Sequence, residues 1–141
     1  MRYLAIDYGM KRTGLAVCDA QETMAFPLAV IEGQKNLVER IEHVVTSEHI
    51  DAIVLGLPLN MDGSQGPQAR QVLAFAERLK QRVGVAVHFQ DERLSSFGAE
   101  ERLQATGLSK AKQRQRLDAV AAAEILQAFL EQRKGGPDEP S

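Results

Sequence analysis

Three acidic residues stand where apolar segments end or begin. Asp7 closes the run Tyr3-Leu4-Ala5-Ile6, Glu92 follows Val85-Ala86-Val87-His88-Phe89, and Asp118 opens the apolar stretch from Ala119 to Leu130. A carboxylate at the end of a buried strand is costly to desolvate unless something positive compensates it. Three such acids converging on one place would make a site for hard divalent cations, which prefer carboxylate oxygens and complete their shells with water and substrate phosphate. Two ions roughly 4 Å apart suit phosphodiester hydrolysis, one activating water and the other stabilising the leaving oxygen. A zinc site is not indicated, because no pair among His43, His49 and His88 has zinc-ligand spacing.

Each acid also has an ordinary structural reading. Asp118 shares a helical face with Ala121, Ala122 and Ile125, yet at the start of a helix it fits an N-cap as well as a ligand. Glu92, between Asp91 and Arg93, fits a solvated strand end, and Asp7, two residues before Gly9, fits a turn. The functional reading rests on the three taken together.

The elements that must position them are legible as periodicities. Tyr3 to Asp7, Thr13 to Asp19 and Phe26 to Ile31 are short strand-like runs, with Lys11-Arg12 in the turn between the first two and Pro27 marking an edge strand. Leu37, Ile41, Val44 and Val45 have helical spacing within Asn36 to Glu48. Asp51 to Leu57 holds Ile53-Val54-Leu55 and reads as a strand buried on both faces, ended by Gly56 and Pro58. A helix follows, with Ser64 as its cap, Pro67 in its first turn and a stripe from Ala69 through Leu79 to Val83. Val85 to Phe89 is a fifth strand, Ser95 to Ala105 a short helix, and Gly107 to Gln115 a mobile loop. The closing helix is expected from about Leu117 to Gln132. The order predicts an α/β fold: a mixed five-stranded sheet in which an antiparallel hairpin and third strand precede parallel strands, with helices on both faces. One domain over residues 1–134 and a disordered tail over 135–141, which begins Gly135-Gly136-Pro137, complete the expectation.

Composition bounds the class. At 141 residues, with 44% hydrophobic and 26% charged residues, the chain has room for one globular core. No apolar run reaches the roughly 20 residues needed to cross a bilayer, and Met1 leads directly into a strand pattern. The expectation is a cytoplasmic protein without membrane contact. Cys18 is a lone cysteine and fits best as a small buried residue. The net charge of −2 does not mark a nucleic-acid binder, but charge is unevenly spread: five basic residues and no acid lie between Arg102 and Leu117.

Four ordered segments add a resemblance. Asp7-Tyr8-Gly9-Met10-Lys11-Arg12-Thr13-Gly14, then Gly56-Leu57-Pro58-Leu59-Asn60-Met61-Asp62-Gly63, then Asp91-Glu92-Arg93-Leu94-Ser95-Ser96, then Asp118-Ala119-Val120-Ala121-Ala122 resemble the motifs of the YqgF/RuvX family. The resemblance spans about Met1 to Leu130. It implies a ribonuclease H-like fold and a metal-dependent nuclease, a hydrolase using Mg²⁺ or Mn²⁺, with two ions when substrate is bound. It places the catalytic and metal-binding acids at Asp7, Glu92 and Asp118. The family is described in two ways: as nucleases that mature the 5′ end of pre-16S rRNA during ribosome biogenesis, and as Holliday junction resolvases by analogy with RuvC. The partner would be structured RNA (a precursor rRNA) or branched DNA, and a homodimer is allowed.

Beside these motifs stand Lys11, Arg12, Asn60 and Arg93, and the alternating Lys110, Lys112, Arg114 and Arg116, as candidate nucleic-acid contacts. Basic side chains set affinity for phosphates without reading sequence. A solvated turn, a plain turn residue and a solvated charge run are their structural alternatives. The same residues leave three other functions open. Junction resolution needs two sites across a four-way junction and hence a symmetric dimer. A phosphotransferase is suggested by Asp-x-Gly before basic residues, as in the phosphate hairpin of sugar kinases and actin-like proteins, but those enclose nucleotide between two lobes and need far more chain. A non-catalytic RNA-binding module or polymerase contact surface would not need three acids.

Overall fold

Apolar residues alternate along β1 (Tyr3–Asp7), and that alternation sets the plan of the molecule. Leu4 and Ile6 face one core, Tyr3 and Ala5 the other, as the two-residue period of a strand requires. β2 (Arg12–Cys18) and β4 (Ala52–Leu57) do the same: Leu15, Val17, Ile53 and Leu55 on one side, Ala16, Cys18, Ala52 and Val54 on the other. The computed structural model describes residues 1–94 and 110–135. With β3 (Ala25–Glu32) and β5 (Ala86–Asp91), the strands form one sheet in the order β3-β2-β1-β4-β5. β1, β2 and β3 pair antiparallel, whereas β4 runs parallel to β1 and β5 parallel to β4. This is the expected mixed sheet, and Pro27 does fall on its edge strand.

Helices cover both faces. α1 (Leu37–Ser47) and α2 (Pro67–Lys80) bury Leu37, Ile41, Val72, Phe75 and Leu79 against the large aliphatic side. α3 (Lys110–Gly135) lays Ala122, Ile125, Leu126, Phe129 and Leu130 across the other side. There the sheet offers mostly small residues, so the helix axis can come close. Burying each large aliphatic side chain contributes about 2 kcal/mol. Among the described residues no helix is long and apolar enough to cross a membrane. Cys18 is buried, as its type predicts, and its Sγ accepts a hydrogen bond from the Tyr3 amide at 3.2 Å.

Several expectations need correction. Ser64 does not cap α2: the cap position is Gly66, without a side-chain bond, while the Ser64 hydroxyl donates to Asp62 at 2.6 Å. Residues 110–115, expected in a mobile loop, are the first turns of α3. After Gly107 the sequence has neither glycine nor proline until Gly135, and Ala, Lys, Gln and Arg are strong helix formers. Asp118 therefore lies inside a helix rather than opening one, which removes the N-cap reading. The helix expected over Ser95 to Ala105, residues 107–109 of the expected loop, and all of the tail beyond Gly135 lie outside the described residues.

Candidate active site

The C-terminal ends of β1, β4 and β5 lie along one edge of the sheet, where ligands of α/β sheets characteristically bind. Asp7 is the last residue of β1 and is directly opposite Gly14 of β2. Gly14 is also where α3 touches the sheet: a Cβ there would collide with the main-chain carbonyl of Asp118. The strand register and the missing side chain together bring Asp118 over the hairpin beside Asp7. Asp118 then turns its carboxylate to Arg12, whose Nε donates to Oδ2 at 2.7 Å.

A second glycine seats Glu92. Glu92 begins a single 3₁₀ turn (Glu92–Leu94) directly after β5. A Cβ on Gly56 of β4 would stand 2.6 Å from Cδ1 of Ile125 and 3.0 Å from Cγ of Glu92. With only hydrogen at that position, the Glu92 side chain reaches back over β4 to Asp7, and the two carboxyls share a hydrogen bond. Two carboxyls hydrogen-bonded to each other must hold a proton between them, since ionised carboxylates only accept. Burial pushes Asp7 up to about 8 from its ordinary 3.8, with the Glu92 charge and the hydrogen bond Asp7 donates to it next, and the Asp118 charge adding to the effect. Burial likewise raises Glu92, assisted by Asp91 and opposed by its bond to Asp7.

Such a pair is a strained place for two negative charges and a favourable one for a cation. Its donors are hard oxygens, which suit Mg²⁺ or Mn²⁺ and not a thiophilic metal. Among the described residues no three His, Cys, Asp or Glu side chains are arranged to hold an ion as they stand. Two of the three acids face each other, and the third is engaged by Arg12.

The cleft at the pair, about 250 Å³, is lined by Asp7, Tyr8, Pro58, Gln68, Gln71, Val72 and Glu92. Gln68 and Gln71 are exposed amides on the first turns of α2, absent from the sequence reading. Their only signal was an i, i+3 spacing on the polar side of the helix. Tyr8 stacks on Phe75 with ring centroids 4.3 Å apart, and its hydroxyl donates to Gln34 at 3.0 Å. The Gln34 amide in turn donates to the carbonyls of Gly9 and Met10 at 2.8 and 3.2 Å, bracing the turn that carries Lys11 and Arg12.

The remaining candidates fall into three groups. Lys11 is exposed at the tip of the β1–β2 turn. Asn60 and Arg93 form a structural unit. Arg93 grips Asp91 through Nε and a terminal nitrogen at 2.9 and 2.6 Å, and donates to the Met61 carbonyl at 3.0 Å. Asn60 donates to the Ser64 hydroxyl at 2.9 Å, closing the loop that Arg93 ties to the end of β5. Lys110, Lys112, Arg114 and Arg116 occupy the first two turns of α3, upstream of Asp118, and their side chains lie outside the description.

Comparison with known proteins adds an independent line. The profile of the RuvX family, described as Holliday junction resolvase, matches residues 1–132. A protein of Anaeromyxobacter dehalogenans (strain 2CP-C) named "Putative pre-16S rRNA nuclease" is 46% identical over 135 residues, covering 94% of this chain and 98% of that protein. One of the same name from Maridesulfovibrio salexigens is 40% identical over 132 residues, covering 92% and 98%. Among solved structures, T. thermophilus RuvC in complex with Holliday junction substrate superposes with a TM-score of 0.61 at 20% identity, covering 96% of each chain. The fowlpox virus Holliday junction resolvase does so with a TM-score of 0.54 at 15% identity, covering 93% and 99%. At these identities the structures speak to fold alone, and the fold is the ribonuclease H-like one.

Proposed function

Because the chain belongs to the RuvX family, we propose that it is a metal-dependent nuclease that hydrolyses phosphodiester bonds in precursor 16S rRNA during ribosome maturation. The observation that carries this reading is the half-buried Asp7–Glu92 carboxyl pair, held at the open edge of the sheet with Asp118 beside it. The names of relatives 39–46% identical to this chain support the RNA substrate. A divalent cation, Mg²⁺ or Mn²⁺, held by Asp7, Glu92 and Asp118 would supply charge neutralisation for the phosphate and a lowered pKa for the attacking water.

The rest is the work of the chain's own residues. Asp7 and Glu92 hold one proton between them at neutral pH and release it when positive charge arrives. Lys11 and Arg12, on a turn braced by Gln34, neutralise substrate phosphates on one side of the cleft. On the other side, Gln68 and Gln71 offer amide donors and acceptors to sugar or base. Arg93 contributes by fixing the loop through Asn60, in addition to any contact with nucleic acid. Water attacks phosphorus in line, the P–O3′ bond breaks, and the leaving oxygen takes up a proton, giving 3′-hydroxyl and 5′-phosphate ends.

Junction resolution is the second reading, favoured by the family's description. It would require a homodimer that sets two such edges against a four-way junction. The deciding experiment offers precursor 16S RNA and a four-way DNA junction to the purified protein at matched salt, with wild type and Asp7→Asn in parallel. RNA cleavage by the wild type alone is the expected result. Equal activity in both proteins would remove the carboxyl pair from the reaction, and junction cleavage without RNA cleavage would select the second reading.

A further inference from the structure

Asp118 has two claimants. As a ligand it belongs with Asp7 and Glu92, yet its carboxylate is held by Arg12 at 2.7 Å, from a residue 106 positions away in the chain. Resting on the nuclease reading above, we propose that Arg12 is a positioning residue that couples nucleic-acid binding to metal binding. With no substrate it keeps Asp118 turned aside. A substrate phosphate that takes its guanidinium releases Asp118 to the other two acids.

The geometry restricts the motion to two side chains. The main chain at Asp118 cannot withdraw or advance freely, because it lies against Gly14 with no space for a Cβ between them. The main chain at Arg12 is likewise tied: it begins β2, pairs with Glu32 of β3, and leaves a turn held by two Gln34 hydrogen bonds. Between these fixed backbones the ion pair is reachable from solvent, with the two side chains 31% and 27% exposed. Among the described residues the guanidinium's one hydrogen bond runs through Nε. A guanidinium also carries two terminal nitrogens, and arginine binds phosphate best when both meet it as a fork. A partly exposed ion pair is weak enough for a phosphate to displace. Released, the Asp118 carboxylate can rotate toward Asp7, which lies opposite the same Gly14 that the Asp118 main chain rests on.

Coupling of this kind is reciprocal: whatever factor nucleic acid adds to metal affinity, metal adds to nucleic-acid affinity. It would keep the chain poorly metallated, and inactive, until a phosphate backbone is in place.

The test is calorimetric titration of Mn²⁺ into the protein, alone and saturated with a hairpin RNA of phosphorothioate backbone, which keeps its charge and resists hydrolysis. RNA-only heats are subtracted, and folding of each variant is checked by its melting curve. For the wild type the hairpin should tighten Mn²⁺ binding about tenfold. Arg12→Gln should bind Mn²⁺ several-fold more tightly than wild type without RNA, and its gain from the hairpin should be at least about fivefold smaller. Lys11→Gln removes the same charge one residue away without touching Asp118, so the gain should persist. Arg12→Lys, which keeps a cation beside Asp118, should restore weak binding without RNA and stands in if Arg12→Gln fails to fold. Equal gains in wild type and Arg12→Gln, or equal losses in Lys11→Gln and Arg12→Gln, would overturn the coupling while leaving the nuclease reading intact. Absence of Mn²⁺ binding to wild type with and without RNA would overturn both.

Discussion

Leu4, Ile6, Leu15, Ile53 and Leu55 fill the face of the sheet beneath α1 and α2, whereas the opposite face presents Ala5, Gly14, Ala16, Ala52 and Gly56 beneath α3. On the first face, bulky side chains hold the helices off by their own volume, and the gain is stability. On the second, the sheet has been pared down until α3 main chain touches β2 and the Glu92 side chain lies on bare β4. The difference teaches that the second face trades apolar contact for proximity: three acids from β1, the turn after β5, and α3 can meet only where the sheet has little to keep them apart. Damage to the first face should therefore cost stability alone, and damage to the second should cost activity first.

The sharpest break of that contrast is Gly14→Ala. The added methyl meets main chain, which cannot rotate away, so α3 must shift at Asp118. Stability should fall by about 3 kcal/mol, at the upper end of overpacking costs, and cleavage by roughly a hundredfold, as for a displacement of about 1 Å in a positioned group. Chemical denaturation and single-turnover cleavage measured together would check this. A variant that keeps wild-type cleavage would show that the close approach is unnecessary. On the opposite face, Leu79→Ala removes a fully buried side chain of α2. It should cost a similar amount, about 3 kcal/mol, with turnover at 25 °C within roughly twofold of wild type, since a small loss in folded fraction is the only route to the site.

A subtler difference concerns pH. Asp7 has a native pKa of about 8 against an ordinary 3.8, and Glu92 is raised with it. Between these values the metal-free native protein binds more protons than the unfolded chain, so its stability is full at low pH and declines as pH rises toward 8. In a chelator, the melting temperature should drop by roughly 5 °C from about pH 5 to about pH 8. Asp7→Asn should flatten the decline, and so should saturating Mn²⁺. A wild-type profile that rises over that range would show that the carboxyls are not coupled as described. The smallest effect is expected from Gly56→Ala, whose methyl meets only side-chain atoms of Ile125 and Glu92 that can give way. About 1 kcal/mol of stability and about a tenfold loss of cleavage, read in the same assays, would place it below Gly14→Ala, whose methyl meets main chain.

Much of this was readable from the chain. The period-two runs of β1, β2 and β4 and the helical stripe of α2 follow from which side chains avoid water, so their existence and order were foreseeable to within one or two residues. Asp7 and Glu92 drew attention because a carboxylate ending an apolar strand is anomalous within a few residues of sequence. Asp118 is anomalous for the same local reason, but its setting inside α3 is not local to it. The lysines and arginines before it looked like a mobile loop, although their types favour the helix that continues through them. The clearances at Gly14 and Gly56 are not legible in the sequence, since nothing near either glycine along the chain reveals what crosses over it.

What the residues determined unaided is periodic or local: strand and helix order, the edge position of Pro27, and the candidate acids at strand ends. Those properties depend on neighbours a few positions apart and on the free energy of removing each side chain from water. Tertiary structure alone decided that Glu92 bonds Asp7 and not solvent, that α3 rests on Gly14, and that Arg12 engages an acid 106 residues further on. Each of these is a contact made through strand register and helix placement, where a shift of one residue would turn the side chain to the other face.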